Sequence, residues 1–469
     1  MSGGGARNVD ERRVGLAIAP LHRRDRCVYD DQPLVDSLVR EALLSGGLGQ
    51  VSERVPLSDI IAPGAVVLLK PNWVNHRNLG QDGNDCLLTH PAFILAALRE
   101  VAAARPGRVI LGDAPIQDCS FSSLLPPHWE GRFAEAVACP LEVVDFRRVR
   151  FAGEKLEDSI VSDARPEERY ILFDLASDSL LEPITTKRSR FRVTKYDPRA
   201  LARTHHRGRH QYVLCREAFE ADVVLSLPKL KAHKKAGLTG ALKNVVGLNG
   251  NKDFLPHHRV GGSWFGGDCY PGGSPVKRAV EYCFDRANRC IGTPAYARWI
   301  RLITRLRRLH EHGGDVQLEG GWHGNDTVWR MVLDLNRLLR YGQSDGALAA
   351  VPQRRVFSLT DAIVAGEGEG PLSPSPRVLG AVTFAASSPF ADLVHAGLMH
   401  FDWRRIPLVR EAFAAMRLSL ASDPPESCGV RVGTRLMAPE EVAAEYGQDF
   451  VPSRGWRAWI ELQPGGGAS

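Results

Sequence analysis

The sequence predicts an α/β protein: a mostly parallel sheet flanked by helices, with a smaller mixed or antiparallel region and an interdomain cleft. Three observations point there. Short apolar runs, among them RVGLAIAP (Arg13 to Pro20), AVVLLKPNWV (Ala65 to Val74), RVILGDAP (Arg108 to Pro115) and ADVVLSLP (Ala221 to Pro228), lack polar alternation and read as strands buried on both faces. Amphipathic stretches of helical length, such as Leu34 to Leu44 and Pro91 to Ala104, separate them. Turn-forming Pro, Asp and Asn residues follow the strands and redirect the chain at their carboxyl ends.

In chain order, residues 1–12 form a polar, frayed start and 13–150 an N-terminal α/β part that continues through Phe133 to Ala138 and Leu141 to Phe146. Residues 151–210 are a polar mixed insertion, where RYILFDLAS and FRVTKYD supply short strands and Arg203 to His210 reads as a basic, histidine-rich loop. The α/β pattern resumes over 211–402, which also carries a helical insertion with helices at Ser274 to Arg289, Ala295 to His310 and Asp326 to Arg340. Strands at Arg355 to Asp361 and Arg377 to Ala386 follow. Residues 403–463 form a C-terminal region and 464–469 a disordered glycine-rich tail.

The 469 residues, 44% hydrophobic and 24% charged, can bury a large core. A net charge of +6 suits an acidic small molecule or an anionic surface, and it lacks the basic stripe with stacking aromatics that nucleic acid requires. No apolar run is long enough to span a bilayer. Nine cysteines without a CxxC pair argue against an iron–sulfur cluster and fit a reducing cytoplasm.

The chemistry concentrates between Leu227 and Gly250. Alternate residues of an extended chain share a face, so Lys229, Lys231 and His233 project together. They sit at a strand's carboxyl end, where open α/β sheets bind ligands. Gly237 and Gly240 permit a close turn, Thr239 caps the helix that begins there, and Lys243 overlooks its first turn beside Asn244. Cations around a helix N-terminus suit a phosphate, a carboxylate or a developing oxyanion. His233 is the candidate for proton transfer, Lys243 for charge stabilisation, and Lys231 joins them as catalytic.

Other strand ends add to this set. Lys70 and Asn72 leave the strand AVVLLKPNWV as anion-binding candidates, and Asp113 follows VILG as an orienting group or metal ligand. Asp361 closes RRVFSLTD, and Glu367 and Glu369 alternate with glycines beyond it; with Asp113 they form a candidate divalent-metal site of oxygen ligands. His257 and His258 are anion-binding candidates, one of them a candidate acid or base, in a glycine-rich loop whose Trp264 suggests a lid. Asp326, Arg330 and Asp334 form a ladder along one helix face. The stretch 295–310 sets Trp299, Ile303, Leu306 and Leu309 against five arginines, a stripe that packs on the core or touches an anionic membrane.

The motif PKLKAHKKAGLTGALKNVVGLNGNKDFLPHH closely resembles the signature of the family called domain of unknown function 362. LLKPNWV, LGDAP, GNDTVWRMVLDLNR, DAIVAGEGEGP and ADLVHAGLMHFD extend the resemblance over roughly Val14 to Asp402. Some members carry a ferredoxin-like cysteine run that this chain lacks. A more distant similarity, to the nickel-dependent lactate racemase family, rests on Lys231, His233 and Lys243 and implies a two-domain α/β architecture with the site in the cleft. The combined expectation is an enzyme that takes an anionic small molecule, with a divalent metal as the only cofactor considered. Isomerase, oxidoreductase and transferase chemistry all stay open. The alternatives are a non-catalytic ligand carrier or membrane-surface scaffold, and a redox-associated protein without its own cluster.

Overall fold

The computed structural model describes residues 9–24, 28–80, 82–152, 160–161, 164–186, 190–311 and 317–462. Its main sheet has eleven strands: β1 (Arg13–Ile18), β2 (Val66–Pro71), β3 (Arg108–Asp113), β4 (Leu141–Asp145), β5 (Val223–Leu227), β6 (Lys229–His233), β7 (Gly237–Thr239), β8 (Val356–Glu369), β9 (Ser373–Ala385), β10 (Gly429–Val432) and β11 (Arg435–Met437). Their order is β11-β10-β1-β9-β8-β5-β2-β3-β4, with β6 pairing β8 and β7. From β8 to β4 the neighbours run parallel, while β9 is antiparallel to both β1 and β8.

The apolar runs lack alternation because both faces of the sheet are covered. Leu68, Ile110 and Val224 point into one layer, against the helices Val328–Tyr341 and Ser388–Leu398. Val67, Leu69, Val109, Leu111 and Leu225 point into the other, against Gln32–Ser45 and Pro91–Ala103. Each such side chain contributes about 1.5–3 kcal/mol on burial. Both flanking helices of the second layer start on a proline turn with a side-chain acceptor before it: Asp31 takes the Leu34 N–H and His90 Nδ1 takes the Ala92 N–H. The sheet is therefore the middle of three layers, and strands from 13–150 and 211–402 interleave within it.

One strand links this core to the site. β8 pairs β5 at Val356 to Ser358, then leaves it to pair β6, with Asp361 opposite Lys229 and Gly366 opposite Lys231. The register shifts between those two lysines.

The smaller region is antiparallel: Tyr170–Asp174 pairs Arg209–Cys215, which pairs His205–His206. Arg203 to His210 is thus not a loop. A helix (Pro198–Thr204) ends there and a hairpin turns at Gly208, where φ is +75°. His205 and His210 are buried because each imidazole finds an acceptor, the Phe254 carbonyl at 3.0 Å and Glu182 at 3.0 Å. Of FRVTKYD, only Phe191–Arg192 is a strand, pairing His258–Arg259.

Helices Pro275–Asn288 and Pro294–Glu311 pack on each other through Val280, Cys283, Tyr296 and Ile303, with Trp299 and Leu306 against the same cluster. The stripe considered for membrane contact is largely spent on this pairing; the Leu309 side chain lies outside the described residues. No helix among them is long and apolar enough to cross a membrane. Arg330 pairs Asp326 at 3.1 Å, but Asp334 turns to Arg337 at 2.9 Å and to Ser179, so the ladder has one rung. Of residues 1–12, the described part is not frayed: Val9 is buried and Glu11 pairs Arg340 at 2.9 Å. Residues 464–469 lie outside the description.

Candidate functional site

The carboxyl ends of β2, β3 and β6 converge on a cavity of about 220 Å³. Of the residues picked out from the sequence, Lys70, Asn72, Asp113, Lys231, His233, Thr239, Lys243, Asn244 and His257 line it. Lys195, Lys234, Lys235 and Lys252 join them, which makes, among the described residues, seven lysines against two aspartates, Asp113 and Asp118.

The wall on the β2–β3 side is an ordered polar lattice. Lys70 pairs Asp113 at 2.8 Å and donates to the Pro71 carbonyl at 2.6 Å and to Asn244 Oδ1 at 3.1 Å. Asp113 also accepts the backbone N–H groups of Trp73 (2.6 Å) and Ala114 (2.8 Å), so its oxygens are filled by one ammonium and two amides. Gly247 is required here. A Cβ at that position would lie 1.8 Å from Asp113 Oδ1 and 2.5 Å from Lys70 Nζ. Asn244 locks β2 to the motif, since its Nδ2 donates to the Lys70 carbonyl (3.0 Å) and Ser226 Oγ (2.9 Å) while its Oδ1 also accepts from Asn72 Nδ2 (3.2 Å).

The lysines differ in what neutralises them. Asp113 answers Lys70 and Asp118 answers Lys195, at 3.0 Å. Lys235 lies near Glu319 and reaches Thr194 Oγ1 at 3.4 Å. Among the described residues Lys231 meets only neutral oxygens, Asn72 Oδ1 at 2.7 Å and the Leu87 carbonyl, and Lys252 only the Ala114 carbonyl at 2.9 Å. Lys243, 9% exposed, makes no hydrogen bond or ion pair among the described residues. Burial, reinforced by mutual repulsion, pushes Lys231 and Lys243 down to about 7 and Lys235 and Lys252 down to about 8.

The two histidines have opposite roles. Burial and the surrounding lysines hold both well below the usual imidazole range, hence neutral. His233 Nδ1 accepts the N–H groups of Lys235 (3.0 Å) and Ala236 (3.1 Å), which leaves its proton on Nε2 as a donor. The geometry thus makes His233 a donor at Nε2 rather than a base. His257 donates Nδ1–H to the Leu255 carbonyl at 2.7 Å, so its Nε2 is the acceptor. Two buried wall atoms, Thr239 Oγ1 and Gln117 Oε1, have no hydrogen-bond partner among the described residues.

Several sequence candidates lie elsewhere. Thr239 does not cap the helix Ala241–Asn244: Asp392 does, accepting the N–H groups of Ala241 (2.7 Å) and Leu242 (2.9 Å). That carboxylate already satisfies the helix start, so an anion cannot dock there; Gly240 leaves room for it, as a Cβ would stand 2.0 Å from Asp392 Oδ1. Lys229 does not share the cavity with Lys231. It is wholly buried against Asp361 at 3.0 Å and the Tyr29 hydroxyl at 2.6 Å. Asp361 is filled in turn by Lys229, Tyr29 and the His90 N–H. Glu367 and Glu369 bind backbone N–H groups of Val451 (3.1 Å) and Arg454 (2.8 Å) and fasten the C-terminal region. Asp113, Asp361, Glu367 and Glu369 therefore do not gather as metal ligands, and no three His, Cys, Asp or Glu side chains do so among the described residues. His258 is absent from this cavity's wall and lines a separate, smaller one with Glu281 and Cys269. Trp264 is exposed and is absent from the cavity wall, so it forms no lid.

The sequence reading missed Gln117, Lys195, Lys234, Lys235 and Lys252. Lys234, Lys235 and Lys252 lie inside the quoted motif and could have been found by treating every lysine there as a wall residue. Gln117 and Lys195 carry no local signal.

The family model described as Domain of unknown function (DUF362) matches residues 181–394, a span that includes the whole Lys229 to Lys252 stretch. No curated protein matches the chain. Among solved structures, a crystal structure of a protein from Thermotoga maritima aligns at 12% identity and a TM-score of 0.27, over 73% of this chain and 54% of that one. The chain thus spans about half the length of that protein, and a likeness at this score carries no argument. The similarity to lactate racemases is not shown by these matches.

Proposed function

We propose that this chain, which matches the DUF362 family model over residues 181–394, binds a small phosphorylated or carboxylated molecule in the lysine-lined cavity and acts on it as an enzyme. One observation carries the reading. Lys231, Lys243 and Lys252 line a single cavity, and among the described residues no carboxylate is paired to any of them. Gathering three little-exposed cations without a counter-ion among the described residues is costly, and an anion held between them offsets that cost. Thr239 Oγ1 and Gln117 Oε1 supply an unpaired donor and acceptor, and the His233 Nε2–H a further donor. The volume, about 220 Å³, suits a small molecule.

The test is calorimetry with inorganic phosphate. An anion stabilises the charged form of each lysine, so lysines near 7 to 8 take up protons as it binds. At pH 8 the measured enthalpy should change with the ionisation enthalpy of the buffer, in the direction of proton uptake. A Lys231→Ala/Lys243→Ala variant should bind phosphate about 10- to 100-fold more weakly. Unchanged affinity in that variant, or a buffer-independent enthalpy, overturns the reading.

A further inference from the structure

We infer that the molecule held in this cavity carries a carbonyl group beside its anionic group, and that Lys243 forms an imine with it. The inference rests on the anion-binding reading and names its substrate class. Its basis is a contrast among lysines. Of the four buried lysines on the cavity wall, Lys70, Lys231 and Lys235 each hold a named acceptor. Lys243 alone holds none among the described residues. An amine that only neutralised charge or fixed the fold would be placed against an oxygen, as the other three are. Lys243 instead rises from the short helix that Asp392 and Asn244 pin in place, so its amine is aimed by a rigid base and its nitrogen lone pair is committed to nothing.

The surroundings supply the remaining requirements. Attack needs the free base, and burial together with Lys252, Lys235 and Lys70 lowers Lys243 to about 7, so before an anion binds a large share is free amine at neutral pH, and an anionic group held by Lys231 and Lys252 away from Lys243 shifts that share least. The substrate's phosphate or carboxylate is left to Lys231 and Lys252. The carbonyl oxygen needs a donor, which His233 offers at Nε2 and Thr239 at its unpaired hydroxyl. Val74, Ile116, Val193, Val246 and Leu372 form apolar wall that limits water and so favours dehydration. The Lys243 nitrogen adds to the carbonyl carbon, its proton passes to the oxygen, and loss of water leaves a C=N bond. The step consumes no oxidant or reductant, and hydrolysis reverses it.

The experiment uses the full chain with glyoxylate, the smallest 2-oxo acid, and cyanoborohydride to reduce any imine to a stable secondary amine, followed by peptide mapping. The expected result is one dominant adduct on Lys243, formed on the order of tenfold or more faster than on any surface lysine, because the gain in free amine outweighs the loss of basicity. Inorganic phosphate should slow that labelling, and Lys243→Arg should abolish it. Labelling spread over exposed lysines with Lys243 unmodified overturns the inference, and the wild-type chain alone decides this, whether or not the variant folds. If phosphate binds with proton uptake yet Lys243 stays unlabelled, the imine fails and the anion site stands. If phosphate does not bind either, both fail.

Discussion

Replacing Asp361 with Asn tests whether the motif is held in place by a buried ion pair. Both side chains of the Lys229–Asp361 pair are wholly buried, at 3.0 Å. Asn keeps the shape, and its oxygen can still accept the Tyr29 hydroxyl, which lies 2.6 Å from Asp361 Oδ1. Its amide nitrogen, however, would face two donors that Oδ2 now accepts, the His90 N–H at 3.0 Å and the Lys229 ammonium at 3.0 Å. A buried charge left alone costs about 3–5 kcal/mol, a large part of a typical stability of roughly 5–15 kcal/mol. Urea unfolding followed by tryptophan fluorescence should therefore show a much lower midpoint for Asp361→Asn. Adding Lys229→Met, which removes the stranded charge, should restore at least half of the loss, roughly 2 kcal/mol. Phosphate affinity of the folded variants should stay within about twofold, since neither residue lines the cavity. An Asp361→Asn variant within about 1 kcal/mol of the parent would refute the buried-pair argument. A variant of unchanged stability that no longer bound phosphate would return Asp361 to the site.

Two further outcomes follow from the same geometry. Gly247→Ala forces a methyl group to 1.8 Å from Asp113 Oδ1 and so parts Lys70 from Asp113; a loss of about 2–4 kcal/mol with weaker phosphate binding is expected in thermal melts and calorimetry, and parental melting would show that the turn yields freely. Burial lowers His90 and His205 to about 3, below their unfolded value near 6.5, so the folded state binds fewer protons and stability must fall as the pH drops below 6.5. Each contributes about 1.4 kcal/mol per pH unit, and His205→Gln should flatten the dependence between pH 6.5 and 5; an unchanged slope in that variant would show that His205 is not held neutral.

The main strands were legible because a run apolar on both faces has few other uses. The gathering of Lys70, Asn72, Lys231 and Lys243 was legible because strand ends in a parallel sheet meet on one side. What lay opposite each side chain was not. Period two puts Lys229 and Lys231 on one face, yet a register shift between them and an aspartate 132 residues away separate their fates. The cap of the motif helix comes from Asp392, 151 residues beyond Ala241, so the local Ser/Thr rule chose Thr239. Glu367 and Glu369 looked like free oxygen ligands because their partners, Val451 and Arg454, belong to a region with no pattern linking it to them.

β8 begins as an inner strand of the sheet at Val356 and, within a dozen residues, is the neighbour of Lys231 at Gly366. A single backbone is thus the girder that ties the inner sheet to the strand that carries Lys231 and His233 into the cavity wall. The motif from Lys229 to Lys243 is consequently not a portable loop. Grafted onto another scaffold it would leave behind Asp361 beneath Lys229, Asp392 at its helix and Lys70 across from Asn244. Diversification of the site is then easiest at residues the girder does not touch, such as Gln117, Thr194, Lys195 and Tyr196, where the wall is lent by the neighbouring segments.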